Sequence, residues 1–143
     1  MNPNTEYEKF AQEVYRELAK TDVVKTIDVK HNILLTGRSG QKHQIDVYWE
    51  YEKSGIKTCV AIECKNYNST VPIGKVRDFF GVLYDLDNVA GIMVTKIGFQ
   101  KGAKEYANHY GIGLKELRIP NVEDCIIGQT DYILIFQCVI AYS

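Results

Sequence analysis

The period of apolar and polar positions changes several times along this chain, and each change marks a predicted element. Tyr7, Phe10, Ala11, Val14, Tyr15 and Leu18 recur at helical spacing, which predicts an amphipathic helix from about Thr5 to Ala19. Thr5-Glu6-Tyr7-Glu8 has the form of a capping box at its start. "VVKTIDV" and "NILLTG" then carry β-branched and apolar residues at strand density, and Gly37-Arg38-Ser39-Gly40 reads as a turn with room for positive φ at either glycine. Gln44 to Glu52 and "IKTCVAIECKNY" flank Ser54-Gly55, the pattern of an antiparallel hairpin.

Asn66 to Pro72 is a polar loop, after which Ile73, Val76, Phe79, Phe80, Leu83 and Leu86 mark a second helix ending before Asn88. "VAGIMVT" reads as a short buried strand, followed by a helix from about Gln100 to Tyr110 and a strand at "IGLKEL". The order αβββαβαβ predicts an α/β fold, a mixed sheet flanked by helices on both faces with right-handed crossovers in its second half. Residues 119–143 break the rhythm with a proline, an acidic patch and a strand-like run. The expected organisation is one domain over 1–118, with 119–143 a tail, an added edge strand or the start of a further segment.

A chain of 143 residues suits one domain with its own core. With 45% hydrophobic and 24% charged residues and only 3 Pro, the composition excludes a disordered or collagen-like chain. The N-terminus lacks an apolar secretory core, and the longest apolar run, Tyr132 to Tyr142, is too short to cross a membrane as a helix. A soluble, cytoplasmic protein is expected. Cys59, Cys64, Cys125 and Cys138 form no C-x-x-C pair and suit free thiols in a reducing compartment. A net charge of −1 argues against a nucleic-acid partner at first sight. Residues 1–118, however, hold 17 basic and 15 acidic residues, and the acidic surplus lies beyond them at Glu123, Asp124 and Asp131. The local field of the folded part can therefore attract phosphates.

Chemistry concentrates in the predicted hairpin. Alternation puts Glu63 and Lys65 on one face of their strand, with Ile62 and Cys64 on the other. Asp46 falls on the neighbouring strand at a similar height, so two carboxylates can converge on one ion. Mg²⁺ suits such a site, being a hard cation held by one or two carboxylates, water and phosphate oxygens; the Cys64 carbonyl is a further candidate ligand. Lys65 would then stand beside a scissile phosphate, able to steady negative charge and orient or help deprotonate water. Without a cation, two buried carboxylates against one lysine leave a costly negative cluster. The E-x-K spacing is weak alone: Asp28-Val29-Lys30 matches it too, though its only nearby upstream acid, Asp22, is too close to lie on a paired preceding strand. The plain alternative is a surface ion pair at a strand end.

Helix, three strands and helix, with Asp46 on the second strand and Glu63-Cys64-Lys65 on the third, resembles the PD-(D/E)xK nuclease fold and, more narrowly, the Mrr-like restriction endonuclease family. Matching features run from Tyr7-Glu8 and Val14 through Gly37, Gly40, Val76-Arg77, Gly81, Val94-Thr95, Phe99, Ala103 and Ala107 to Ile112 and Leu114. The resemblance implies metal-dependent cleavage of DNA, with Asp46 and Glu63 as metal ligands and Lys65 as the catalytic lysine. It also implies a helix-one glutamate near the site, and Glu8 occupies that position while also fitting the capping box. Two departures stand out. Many members carry Gln where Glu63 stands, and the acid often found shortly before the strand-two Asp is replaced by "SGQKHQ", which puts a second metal site in doubt.

Candidate nucleic-acid contacts are His43 and Gln44, beside Asp46, and Lys96, Lys101 and Lys104 around the start of the third helix, where the helix dipole favours anions. A polar turn contact for His43 and a solvated lysine face are the competing readings. Tyr48, Trp49 and Tyr51 suit strand packing better than base stacking. The expectation is a Mg²⁺-dependent DNA endonuclease of restriction type, Mn²⁺ able to substitute, in defence against foreign or modified DNA. Cutting both strands needs two centres, so a homodimer or larger assembly is expected. The alternatives are a structure-selective junction-resolving nuclease and a catalytically silent DNA-binding or assembly module.

Overall fold

Asn2 and Pro3 start the first helix. The Asn2 side-chain oxygen accepts the Asn4 N–H at 2.8 Å, and proline at the first helical position has no N–H to leave unpaired. In this computed structural model, which describes residues 2–21 and 25–118, helix α1 therefore runs Pro3–Thr21. The capping box expected at Thr5 is corrected: Thr5 already lies inside the first turn, and Glu8 is released from any capping role.

Strand β1 is Lys25–Thr36, β2 Lys42–Lys53 and β3 Ile56–Lys65; α2 is Ile73–Leu86, β4 Val89–Thr95, α3 Lys101–Tyr110 and β5 Gly113–Glu116. The expected order holds, and the two stretches before Gly37 join into one strand interrupted by Asn32 at φ 55°. The sheet order is β1-β2-β3-β4-β5. Its first three strands pair antiparallel through short turns, and β3-β4 and β4-β5 pair parallel through α2 and α3. The chain is thus a mixed sheet covered on both faces, as its pattern of elements predicts.

Each face has its own core. On the α1 side Ala11, Val14 and Phe10 pack on Val47, Val60, Ile62 and Val94. On the α2 and α3 side Val76, Phe79, Ala103 and Ala107 pack on Tyr48, Ala61 and Met93. Residues 60, 61 and 62 alternate between these cores, as a strand buried on both faces must. Ile62 and Met93 are fully buried, each contributing roughly 1.5–3 kcal/mol of apolar burial. The Tyr7 hydroxyl donates to the Leu117 carbonyl at 2.5 Å, tying α1 to the chain just beyond β5, and burial pushes its phenol up.

A polar clamp closes the other end of β1 and β2. Asp85, in the last turn of α2, accepts from the Ser39 hydroxyl at 2.6 Å, the Ser39 N–H at 2.8 Å and His43 Nε2 at 2.7 Å. These bonds, the Ser39 hydroxyl first, hold its carboxyl down at about 2. Gly37 sits so close beneath that a Cβ would meet Asp85 Oδ2 at 2.0 Å, which accounts for glycine there.

Cys59 and Cys64 are free thiols. Among the described residues no helix is long and apolar enough to cross a membrane. The expected tail or edge strand over 119–143, with Cys125 and Cys138, lies outside the described residues.

Candidate active site

The β2-β3 ladder runs from Lys53↔Ile56 to Val47↔Ile62 and stops. One step further, where the strands part, stand Asp46 and Glu63. The Cys64 N–H here bonds the Asp46 side chain, donating to Oδ2 at 2.8 Å. The cause of the parting is visible on β2 itself. Ile45 and Val47 are two residues apart, which on a regular strand puts them on one face, yet Ile45 joins the α2-side core and Val47 the α1-side core. Alternation breaks at Asp46, opposite the left-handed Asn32 of β1, where the β1-β2 pairing skips from His31↔Val47 to Ile33↔Ile45. Gln44 Nε2 donates to Asn32 Oδ1 at 2.5 Å across this break.

The end of β3 supplies the rest. Lys65 Nζ lies 3.7 Å from Glu63 Oε1, so the two charges share a face as their spacing requires. Thr95, wholly buried on β4, donates its hydroxyl to the Lys65 carbonyl at 2.9 Å and fixes the strand end. From α1, Glu8 reaches the same place, its Oε2 3.1 Å from His31 Nε2. Asn66 Nδ2 donates to Asn4 Oδ1 at 3.3 Å and closes one rim. The result is a cleft of about 440 Å³ lined by Asn4, Glu8, Gln44, Asp46, Glu63, Cys64, Lys65, Asn66 and Tyr67.

The charges in this cleft are out of balance. Burial pushes Asp46 up to about 7; its bond from Cys64 opposes the shift, and Glu8 and Glu63 reinforce it. Burial also raises Glu63, with Lys65 holding it partly down. The Cys64 thiol is pushed well up by burial and by the surrounding acids, so it is no nucleophile.

Of the residues singled out in the sequence, Asp46, Glu63, Lys65, Glu8, Cys64 and Gln44 meet in the cleft. His43 instead faces Asp85 in the clamp. Lys96 follows β4, while Lys101, 3.8 Å from Glu105, and Lys104 lie exposed on α3; none of the three lines the cleft. Tyr48 is in the core, and Trp49 lies between Tyr15 and Tyr51 at ring separations of 6.2 and 4.7 Å. Sequence reading missed Asn4, His31, Asn66 and Tyr67. The last two directly follow Lys65 on the strand exit and were open to detection; Asn4 and His31 come in through the docking of α1.

The sequence profile of the Mrr catalytic family of restriction endonucleases matches residues 3–117, the span that builds this cleft. The chain belongs to the Mrr restriction endonuclease family. Three of the solved structures similar in fold to this chain are AF1548, Can2 and MspJI. The protein of unknown function AF1548 has a TM-score of 0.63 at 22% identity, over 84% of this chain and 61% of its own. Can2 from Sulfobacillus thermosulfidooxidans, in complex with cyclic tetra-adenylate, has 0.60 at 14%, over 77% of this chain and 31% of its own. The MspJI restriction endonuclease, in complex with a 27-mer oligonucleotide, has 0.51 at 17%, over 79% of this chain and 26% of its own. This chain thus spans less than two thirds of each of these proteins. No curated protein matches it.

The cleft fits a hard divalent cation in its donor set. Asp46 and Glu63 offer carboxylate oxygens, Glu8 adds negative charge, and Lys65 is the one cation lining the cleft among the described residues. Among those residues no three His, Cys, Asp or Glu side chains gather at metal-ligand spacing. An ion here would take the remainder of its shell from water, backbone and substrate oxygens, which is the habit of Mg²⁺.

Proposed function

We propose that this chain is the nuclease domain of a Mg²⁺-dependent DNA endonuclease, Mn²⁺ substituting, that acts in restriction of foreign or modified DNA. The observation that carries the reading is the convergence of Asp46, Glu63 and Lys65 on one cleft at the parting of β2 and β3. Asp46 and Glu63 would hold the ion, with the Cys64 carbonyl as a further ligand; bound there, it would supply Lewis-acid polarisation of a phosphoryl oxygen and a more acidic water. The protein's own groups do the remainder. Lys65, kept near Glu63 and fixed by the Thr95 bond, faces the developing negative charge on phosphorus and orients water. The water oxygen bonds to phosphorus, its proton passes to a base in the cleft, one phosphodiester P–O bond breaks, and the leaving oxygen takes up a proton from solvent. Gln44 and Asn66 sit on the rim as contacts for the DNA backbone, with His43, Lys96, Lys101 and Lys104 farther out. Two such centres, in a homodimer or larger assembly, would cut both strands.

The test is plasmid cleavage with Mg²⁺ or Mn²⁺. Wild type nicks or cuts, while Asp46→Ala and Lys65→Ala abolish cleavage at an unchanged fold. Activity surviving in both variants removes the assignment.

A further inference from the structure

A stripe on α1 docks the helix on the edge strand β1. Glu8, Gln12 and Arg16 lie four residues apart, hence on one face of the helix. Gln12 Nε2 and Arg16 Nη2 both donate to the Val29 carbonyl, at 2.9 and 3.0 Å. Glu8 continues the stripe toward the cleft and meets His31, two residues along β1 on the same face as Val29. A carboxylate only accepts, so the ring nitrogen facing it, Nε2, carries the hydrogen and donates at 3.1 Å. Both side chains are largely shielded, at 15% and 17% exposure, so solvent competes little for this bond. Glu8 also lines the cleft together with Asp46. One carboxylate thus spans from β1 to the reactive cleft.

We propose that His31 is a positioning residue: by holding one oxygen of Glu8, it presents the Glu8 carboxylate to the ion and water beside Asp46. The assignment rests on the reading of the cleft as a nuclease centre. A freed Glu8 has three side-chain torsions to explore, and the bond to His31 removes that freedom before substrate arrives. The outer-shell partner of a metal-site carboxylate ordinarily affects affinity or rate by about 10–100-fold.

The test pairs Mn²⁺ titration of the full chain by calorimetry, without DNA, with plasmid cleavage. His31→Ala is expected to weaken Mn²⁺ binding and lower kcat by about tenfold each, with KM for DNA unchanged. His31→Gln, whose amide nitrogen reaches as far as Nε2, restores both; His31→Asn, too short, does not, and this pair also decides the matter if the alanine variant fails to fold. In a Glu8→Ala background, His31→Ala has no further effect. Gln12→Ala, which removes a neighbouring helix-to-strand bond, lowers the melting temperature and leaves Mn²⁺ affinity as it was. Wild-type Mn²⁺ affinity and kcat in His31→Ala, or a defect in His31→Gln equal to that of His31→Asn, overturns the proposal. If Asp46→Ala is inactive while His31→Ala is normal, His31 alone is misassigned; if Asp46→Ala still cuts, the nuclease reading of the cleft fails first.

Discussion

Asp46→Asn should make the metal-free protein more stable, and by an amount that grows with pH. The Asp46 carboxyl is raised from an ordinary 3.8 to about 7, burial being the first cause. A carboxyl raised on folding binds its proton more tightly in the native state, so its charged form opposes folding. The penalty is absent below pH 4, builds as the pH climbs from 3.8 toward 7, and is complete above 7. At about 1.4 kcal/mol per pKa unit, it reaches up to about 4 kcal/mol at pH 8 and about 1.5 kcal/mol at pH 5. The asparagine amide keeps an oxygen to accept the Cys64 N–H and carries no charge, so the substitution recovers that energy. At roughly 4 °C per kcal/mol for a domain of this size, melting in EDTA should rise by up to about 15 °C at pH 8 and about 6 °C at pH 5. The assay is thermal unfolding of both proteins in EDTA across this range. A gain that is flat with pH, or a loss of stability at pH 8, would refute the picture of a desolvated, uncompensated acid cluster.

Two further outcomes follow from the same geometry. Millimolar Mg²⁺ at pH 8 should raise the melting temperature of wild type and leave Asp46→Asn nearly unmoved, since only the charged cluster gains from a cation; equal shifts would place the ion elsewhere. Gly91→Ala should destabilise by about 1–3 kcal/mol in urea unfolding, because its Cβ would lie 2.3 Å from Leu83 Cδ1 and 2.9 Å from the Phe79 ring; Leu83→Ala should relieve part of that loss.

Local periodicity carried most of the architecture. The 3.6 and 2.0 repeats are imposed by which face a core buries, so all eight elements could be read in order, and so could the shared face of Glu63 and Lys65. The start of α1 was misread because the Thr5-to-Glu8 pattern is local chemistry, and Asn2 with Pro3 offers a better start nearby. Contacts made between elements left no local trace. The partner of His43 is Asp85, 42 residues on, and the partner of Glu8 is His31, 23 residues on. Neither pairing is fixed until α1 and α2 have docked on the sheet. The break in alternation at Asp46 was equally hidden, since "QIDVYWEYE" scans as an unbroken strand. The separation of Ile45 and Val47 into different cores, with the gap in pairing opposite Asn32, reveals it.

That break links the candidate site to the completeness of folding. Ile45 is gripped in the layer with Phe79 and Phe99, and Val47 in the layer with Ala11 and Val14, so the half-twist between them exists only while both layers are assembled. If either grip loosens, the segment relaxes toward ordinary pleating and carries the carboxylate of Asp46 away from Glu63. A nascent or heat-damaged chain with one layer missing would not assemble the cleft. Under the proposed nuclease function, such latency would be a safeguard that needs no separate inhibitor.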